Sequence, residues 1–167
     1  MFSTTIAPAG LVRVGDPAPD LTMPIRLDRW VSLADSRDSI VVLAFYPGDF
    51  SPVCTDHLST QASRHGDFEA LGATLVGISV DGIFSHRAFA VARGIGFDFL
   101  ADFEPKGAVA RRHGAYREGL GFAHRALVVV DGVGIVPWVW VADPDDDHDP
   151  GADAVLAAVR EVAADPA

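Results

Sequence analysis

Asparagine is missing from the 167-residue chain, lysine occurs once, at Lys106, and cysteine once, at Cys54. Each scarcity excludes something. A single cysteine cannot close an internal disulfide, which agrees with a reducing compartment, and it rules out a Cys-x-x-Cys exchange motif. Without asparagine, a cysteine hydrolase would lack one of the usual partners that orient its histidine. One lysine and scattered arginines against 23 acidic residues leave a net charge of −10. Neither a phosphate backbone nor an anionic membrane surface finds clustered cations there. The longest apolar runs reach about eight residues, too short to span a bilayer. Met1 to Gly15 has no charged segment leading into an apolar one, so no secretory signal is expected and the expected location is cytoplasmic.

The composition that remains is 49% hydrophobic and 22% charged, ordinary for a globular domain, and one domain over residues 1–167 is expected. The prolines of Gly15-Asp16-Pro17-Ala18-Pro19-Asp20 favour an extended entry segment. Leu21–Leu27 and Trp30–Leu33 read as a hairpin around Asp28-Arg29. Ser39–Tyr46 is a continuous apolar run, the pattern of a strand covered on both faces. A helix is expected from Pro52 to Leu71 with Gly72 as its stop, then a buried strand over Ala73–Val80. Ser85–Arg93 reads as a helix capped by Ser85, Phe97–Ala101 as a strand, and Pro105–His113 as a helix. A loop over Gly114–Gly121 precedes two strands, Ala126–Val130 and Gly134–Val141, joined at Asp131-Gly132. The acidic stretch Asp143–Asp149 and an amphipathic helix over Ala152–Ala163 complete the chain. Alternating strands and helices with a late hairpin predict an α/β domain with a mixed sheet.

The informative stretch is Phe45-Tyr46-Pro47-Gly48-Asp49-Phe50-Ser51-Pro52-Val53-Cys54-Thr55, where the buried strand gives way to the helix. Ser51 is a good N-cap and Pro52 suits the first helical position, which puts Cys54 in the first turn. Backbone N–H groups without helical partners and the positive end of the dipole both favour thiolate over thiol there. His57 sits one turn on. With hydrolysis and dithiol exchange disfavoured, oxidation of the thiolate to sulfenic acid by a peroxide is the chemistry left.

Pro47-x-x-x-Ser51-x-x-Cys54 resembles the peroxiredoxin signature Pro-x-x-x-(Thr/Ser)-x-x-Cys. Phe45-Tyr46-Pro47, Gly15-Asp16-x-Ala18-Pro19, Arg29 to Asp35 and Arg125 to Asp131 match the same family in the same order, over nearly the whole chain. The similarity is greatest to the alkyl-hydroperoxide-reductase and bacterioferritin-comigratory-protein branches. It implies a thioredoxin-like fold with an N-terminal extension, a central mixed sheet flanked by helices, and a thiol peroxidase activity without a cofactor or metal.

The resemblance also assigns roles. Cys54 attacks the peroxide O–O bond, Ser51 hydrogen-bonds the peroxide, and Pro47 shields the sulfur. Arg125 stabilises the thiolate and the charge on the departing oxygen, with the backbone N–H groups of Val53 and Cys54 completing the cradle. The family often has Glu or Gln three residues after the cysteine. Here His57 takes that place, where it could support Arg125, bond the loop or meet a partner. With no second cysteine, an external thiol, either of low molecular weight or on a thioredoxin-type protein, is expected to resolve the sulfenic acid. The family likeness further implies a homodimer or larger assembly. A rival from another class is a redox-responsive binding or chaperone-like module that uses Cys54 oxidation without turnover.

Other features read more simply. Asp145-Asp146-Asp147-His148-Asp149 lacks the spaced ligands and glycine of a calcium loop, and the six histidines show no metal spacing, so no metal site is expected. Trp138 and Trp140 fall on one face of a strand, for packing or a subunit contact.

Overall fold

The computed structural model describes residues 10–142 and 149–165, with Val53 and Cys54 described by their backbone alone. After the entry segment, β1 (Thr22–Arg26) and β2 (Arg29–Ser32) form the expected antiparallel hairpin. The predicted apolar run becomes β3 (Ile40–Phe45), buried at every position. It leads through Tyr46–Ser51 into α1 (Pro52–Ser63) and α2 (His65–Ala70). β4 (Ala73–Ser79), α3 (Ile83–Arg93), β5 (Asp98–Ala101) and α4 (Ala108–Arg112) follow. A small hairpin of β6 (Tyr116–Arg117) and β7 (Phe122–Ala123) precedes β8 (Ala126–Val130), β9 (Trp138–Val141) and α5 (Gly151–Ala164).

The main sheet runs β5-β4-β3-β8-β9. β3 pairs parallel with β4 and β4 with β5, whereas β8 is antiparallel to both β3 and β9. β3 therefore lies at the centre, and continuous hydrophobicity is what that place demands. Alternation along it divides two cores. Val41, Leu43 and Phe45 pack with Leu21, Met23, Val109 and Val128 on one face. Ile40, Val42, Ala44 and Tyr46 face Leu58, Phe68, Phe89, Val155 and Val159 on the other. Helices flank the mixed sheet as expected.

Several local expectations need correction. The helix after Pro52 is not continuous to Leu71; it breaks at Arg64, whose φ is −111° and ψ 13°. On an unbroken helix Phe68 and Leu71 swing progressively away from the Leu58 and Ala62 face, and the break lets Phe68 enter the core fully buried. Arg64 then secures the joint, its guanidinium reaching Asp67 and Asp153 at 2.5 Å each. α3 starts earlier than expected, capped by Gly82 and not Ser85. α4 is shorter than Pro105–His113, and Gly114–Gly121 encloses half of the small hairpin.

The strand expected from Gly134 begins only at Trp138. The preceding residues serve the entry segment instead: Gly15 N–H donates to Val136 O at 2.8 Å, Ala18 N–H to Gly134 O at 2.8 Å, and Val136 N–H to Asp16 O at 3.0 Å. Trp138 and Trp140 are half-buried against the second core. The acidic stretch lies outside the described residues except for Asp149. No helix among the described residues is long and apolar enough to cross a membrane.

Candidate active site

β3 ends at Phe45, and the chain then crosses the sheet edge through Tyr46 and Pro47 to the start of α1. Ser51 is the N-cap residue, with φ −64° and ψ 131°, and Pro52 holds the first turn. The position matches the expectation but the capping bond does not: the Ser51 hydroxyl makes no cap contact. Its carbonyl opens the ladder instead, accepting Thr55 N–H at 2.9 Å and the Thr55 hydroxyl at 2.7 Å. The backbone of Val53 and Cys54 accordingly falls in the turn whose N–H groups have no carbonyl partner within the helix. Pro47 and Ser51 are both half-buried at this edge.

Arg125 arrives from the far side of the sequence. Because β8 is antiparallel to β3, Ala126 pairs with Phe45, so Arg125 stands beside the point where β3 releases its loop. The Arg125 carbonyl accepts Ala142 N–H at 2.8 Å, which anchors it to the strand beyond. Its Nη1 lies 3.5 Å from His57 Nδ1, and His57 Nδ1 lies 3.8 Å from Asp149 Oδ2. The structure thus brings His57 and Arg125 together. Since a guanidinium only donates, the facing Nδ1 is the acceptor when the imidazole is neutral.

A cavity of about 30 Å³ opens between α1 and the β3–β8 seam, bounded by His57, Gln61, Arg125, Trp140 and Asp149 among others. His57 and Leu58 precede Gln61 by four and three residues, so the three share one stripe of α1. Gln61 is 2% exposed, and neither its amide nitrogen nor its oxygen has a protein partner.

Under the loop lies a polar cluster that reading the sequence missed. The buried Tyr46 hydroxyl donates to Asp49 Oδ1 at 2.6 Å, and Ser85 Oγ donates to Asp49 Oδ2 at 2.9 Å. His86 Nδ1 lies 2.9 Å from Asp49 Oδ2 and 3.1 Å from Oδ1. Asp49 N–H donates to Asp81 Oδ2 at 2.8 Å, as does Ser79 Oγ at 2.6 Å. Burial pushes the Asp49 carboxyl up, but hydrogen bonding and charge from His86, with Tyr46 and Ser85, outweigh it and leave Asp49 below the ordinary range. Tyr46 is pushed well up by burial and then by the adjacent Asp49. In the sequence, Asp49 after Gly48 carries only a turn signal and Ser85 only a capping signal. Their use as partners depends on β4 lying beside β3, which is tertiary information.

Asp49, Asp81 and His86 form the one group among the described residues whose ligand atoms cluster within 4.8 Å. These atoms are already committed to one another and to neighbouring donors by the bonds above.

The chain matches the AhpC/TSA family over residues 14–139. It is 33% identical over 145 residues to "Peroxiredoxin-2" of Pongo abelii, covering 81% of each chain. Alkyl hydroperoxide reductase E of Mycobacterium bovis is 31% identical over 140 residues, covering 83% of this chain and 92% of that one. Among solved structures, peroxidoxin BcpB of Mycobacterium tuberculosis superposes with a TM-score of 0.77 at 29% identity, covering 89% of this chain and 97% of the other. With the thioredoxin-like arrangement of its sheet and helices, the chain belongs to the AhpC/TSA family and is a peroxiredoxin-type, thiol-dependent peroxidase.

Proposed function

We propose that Cys54 is the residue oxidised, in a one-cysteine cycle. The Cys54 thiolate attacks one oxygen of the hydroperoxide; the S–O bond forms as the O–O bond breaks, and the other oxygen leaves with the electron pair and takes up a proton. Cysteine is thereby oxidised to sulfenic acid and the peroxide reduced to water or an alcohol. An external thiol then displaces water from the sulfenic acid to give a mixed disulfide, and a second thiol releases Cys54.

The observation that carries this reading is the meeting of a first helical turn at Cys54 with Arg125 at the same sheet edge. The helix terminus favours the thiolate, and the Arg125 guanidinium supplies donors for charge that grows on the leaving oxygen. Val53 and Cys54 N–H groups serve the same end. Ser51 lends its hydroxyl to the bound peroxide, since that hydroxyl is not used as a helix cap. Pro47 covers the sulfur side of the loop. His57 steadies Arg125 from one turn further along α1.

Residues 1–167 act as one domain, in a reducing, cytoplasmic setting, with hydroperoxide as substrate and a small thiol or thioredoxin-type protein as reductant. The working unit is a homodimer or larger, to be checked by light scattering. The deciding experiment mixes reduced protein with one equivalent of hydrogen peroxide and follows thiol loss and dimedone labelling by intact mass. Rapid loss of one thiol and a single adduct at Cys54 are expected, followed by turnover on adding thiol. Undiminished peroxide consumption by Cys54→Ser would sink the assignment, and stoichiometric oxidation without turnover by any thiol would sink the cycle.

A further inference from the structure

Between the Asp49 cluster and Cys54 the backbone takes an uncommon course. Phe50 has φ +63°, in the left-handed region that non-glycine residues seldom adopt and that surrounding contacts must hold. On its far side the Phe50 ring meets Phe89 edge-on at 5.2 Å. On its near side Asp49 is held by the polar cluster. The next residue is the N-cap of the helix that carries Cys54.

The geometry at His86 is specific about protons. Nε2 lies 3.2 Å from the Leu100 carbonyl, an acceptor only, so that nitrogen carries hydrogen. Nδ1 faces both Asp49 oxygens, which also accept from Tyr46 and Ser85. A bare lone pair at Nδ1 would confront a carboxylate, so the contact requires a second proton. The His86 and Asp49 side chains are 3% and 1% exposed, so the pair is shut off from bulk solvent. The groups around the pair are Tyr46 after β3, Ser79 and Asp81 at the end of β4, Ser85 on α3 and the Leu100 carbonyl on β5.

We infer that His86, protonated on both ring nitrogens, is a positioning residue for the Cys54 loop, acting through Asp49 to hold the left-handed turn at Phe50 and hence the start of α1. The inference rests on the assignment of Cys54 above. It explains why a charged pair is buried where no reacting atom needs it: the pair ties the loop to β5 and α3, and a displacement of the first turn moves both the sulfur and the N–H groups that stabilise it.

The test uses four variants of the full chain: His86→Asn, His86→Gln, Asp49→Asn and the double variant His86→Gln/Asp49→Asn. His86→Asn keeps a donor near the Nδ1 position and so retains the link to Asp49, whereas His86→Gln keeps one near Nε2 and loses it. The rate of Cys54 oxidation by hydrogen peroxide should fall about 30-fold in His86→Gln, and several-fold less in His86→Asn, the range expected of small misplacements. Thiolate absorbance near 240 nm, clean in a protein with one cysteine, should show Cys54 ionising at higher pH in His86→Gln. The double variant His86→Gln/Asp49→Asn should be no slower than the slower single one. Equal losses in both His86 variants with an unmoved Cys54 titration would reduce His86 to core filling and overturn the proposal, as would wild-type rates in both. Should His86→Gln not fold, the near-isosteric Asp49→Asn decides alone: slowing with a raised Cys54 titration supports the link, and wild-type behaviour refutes it. Failure of the wild type to react with peroxide would instead remove the Cys54 assignment, while thiolate titration and iodoacetamide labelling would still report on the loop.

Discussion

At the scale of single residues, the site depends on a few side chains whose neighbours are far away in sequence. With Arg125 proposed as a donor to the reacting centre, Arg125→Ala is expected to slow Cys54 oxidation by about 100-fold or more while leaving the circular dichroism spectrum unchanged; stopped-flow mixing with hydrogen peroxide measures it. Gln61 offers a contrasting case. Its amide is buried with no protein partner, and an apolar group of like size loses no bond there. Gln61→Leu should therefore raise the unfolding midpoint, by roughly 1 kcal/mol of stability in a denaturant titration. His113 is fully buried, donates from Nδ1 to Val109 O at 2.9 Å and lies 5.1 Å from the Phe45 ring. Burial holds its pKa below the ordinary 6.5. The unfolded chain then takes up a proton first as the pH drops, so stability is intact above about 6.5 and is lost as pH falls from there through the folded value. In thermal melts from pH 8 to 5, the wild type should lose stability relative to His113→Phe as the pH falls. The lowered Asp49 carboxyl acts in a separate window, withdrawing its stabilisation only as pH falls from about 3.8 downward.

At the scale of elements, sequence and structure agree best where one local signal suffices. β3 is legible because an unbroken apolar run rich in β-branched and aromatic residues, too short for a buried helix, suits a strand covered on both faces. The start of α1 is legible because Ser51-Pro52 is a boundary by backbone chemistry. Placing Cys54 in the first turn follows from those two facts. Where tertiary partners set a boundary, the local signal misleads. Ser85 has the chemistry of a cap, yet its hydroxyl belongs to Asp49. Gly134–Val136 has the pattern of a strand, yet these residues bond the entry segment. The joint at Arg64 is not legible locally because one of its two anchors, Asp153, lies 89 residues away. β4 carries a further constraint of this kind. A Cβ on Gly77 would come within 2.5 Å of the Phe99 ring and 3.4 Å of Tyr46. Gly77→Ala should cost about 1–3 kcal/mol by overpacking, and by shifting Phe99, which packs on Tyr46 and His86, it should also slow peroxide reduction. A melt paired with a rate measurement checks both.

At the scale of the whole molecule, the sheet brings three separate stretches to one edge. The loop after β3 supplies residues 47–54, the segment after β4 supplies Asp81, Ser85 and His86, and the approach to β8 supplies Arg125. Parallel pairing puts the ends of β3 and β4 together, and antiparallel pairing adds the beginning of β8. The antiparallel register has a consequence for tolerance to insertion and deletion. The span from β5 to β8 includes the exposed tip of the β6–β7 hairpin, where added residues leave the pairing of β8 untouched. Two glycines inserted between Gly119 and Leu120 should leave the peroxide rate within about twofold. Loss of a single residue from Ala126–Val130 would shift Arg125 by one strand step, about 3.4 Å, and turn it to the opposite face. The same chain is thus forgiving of length in one place and intolerant of it a few residues later, and the pairing of Phe45 with Ala126 marks where that tolerance ends.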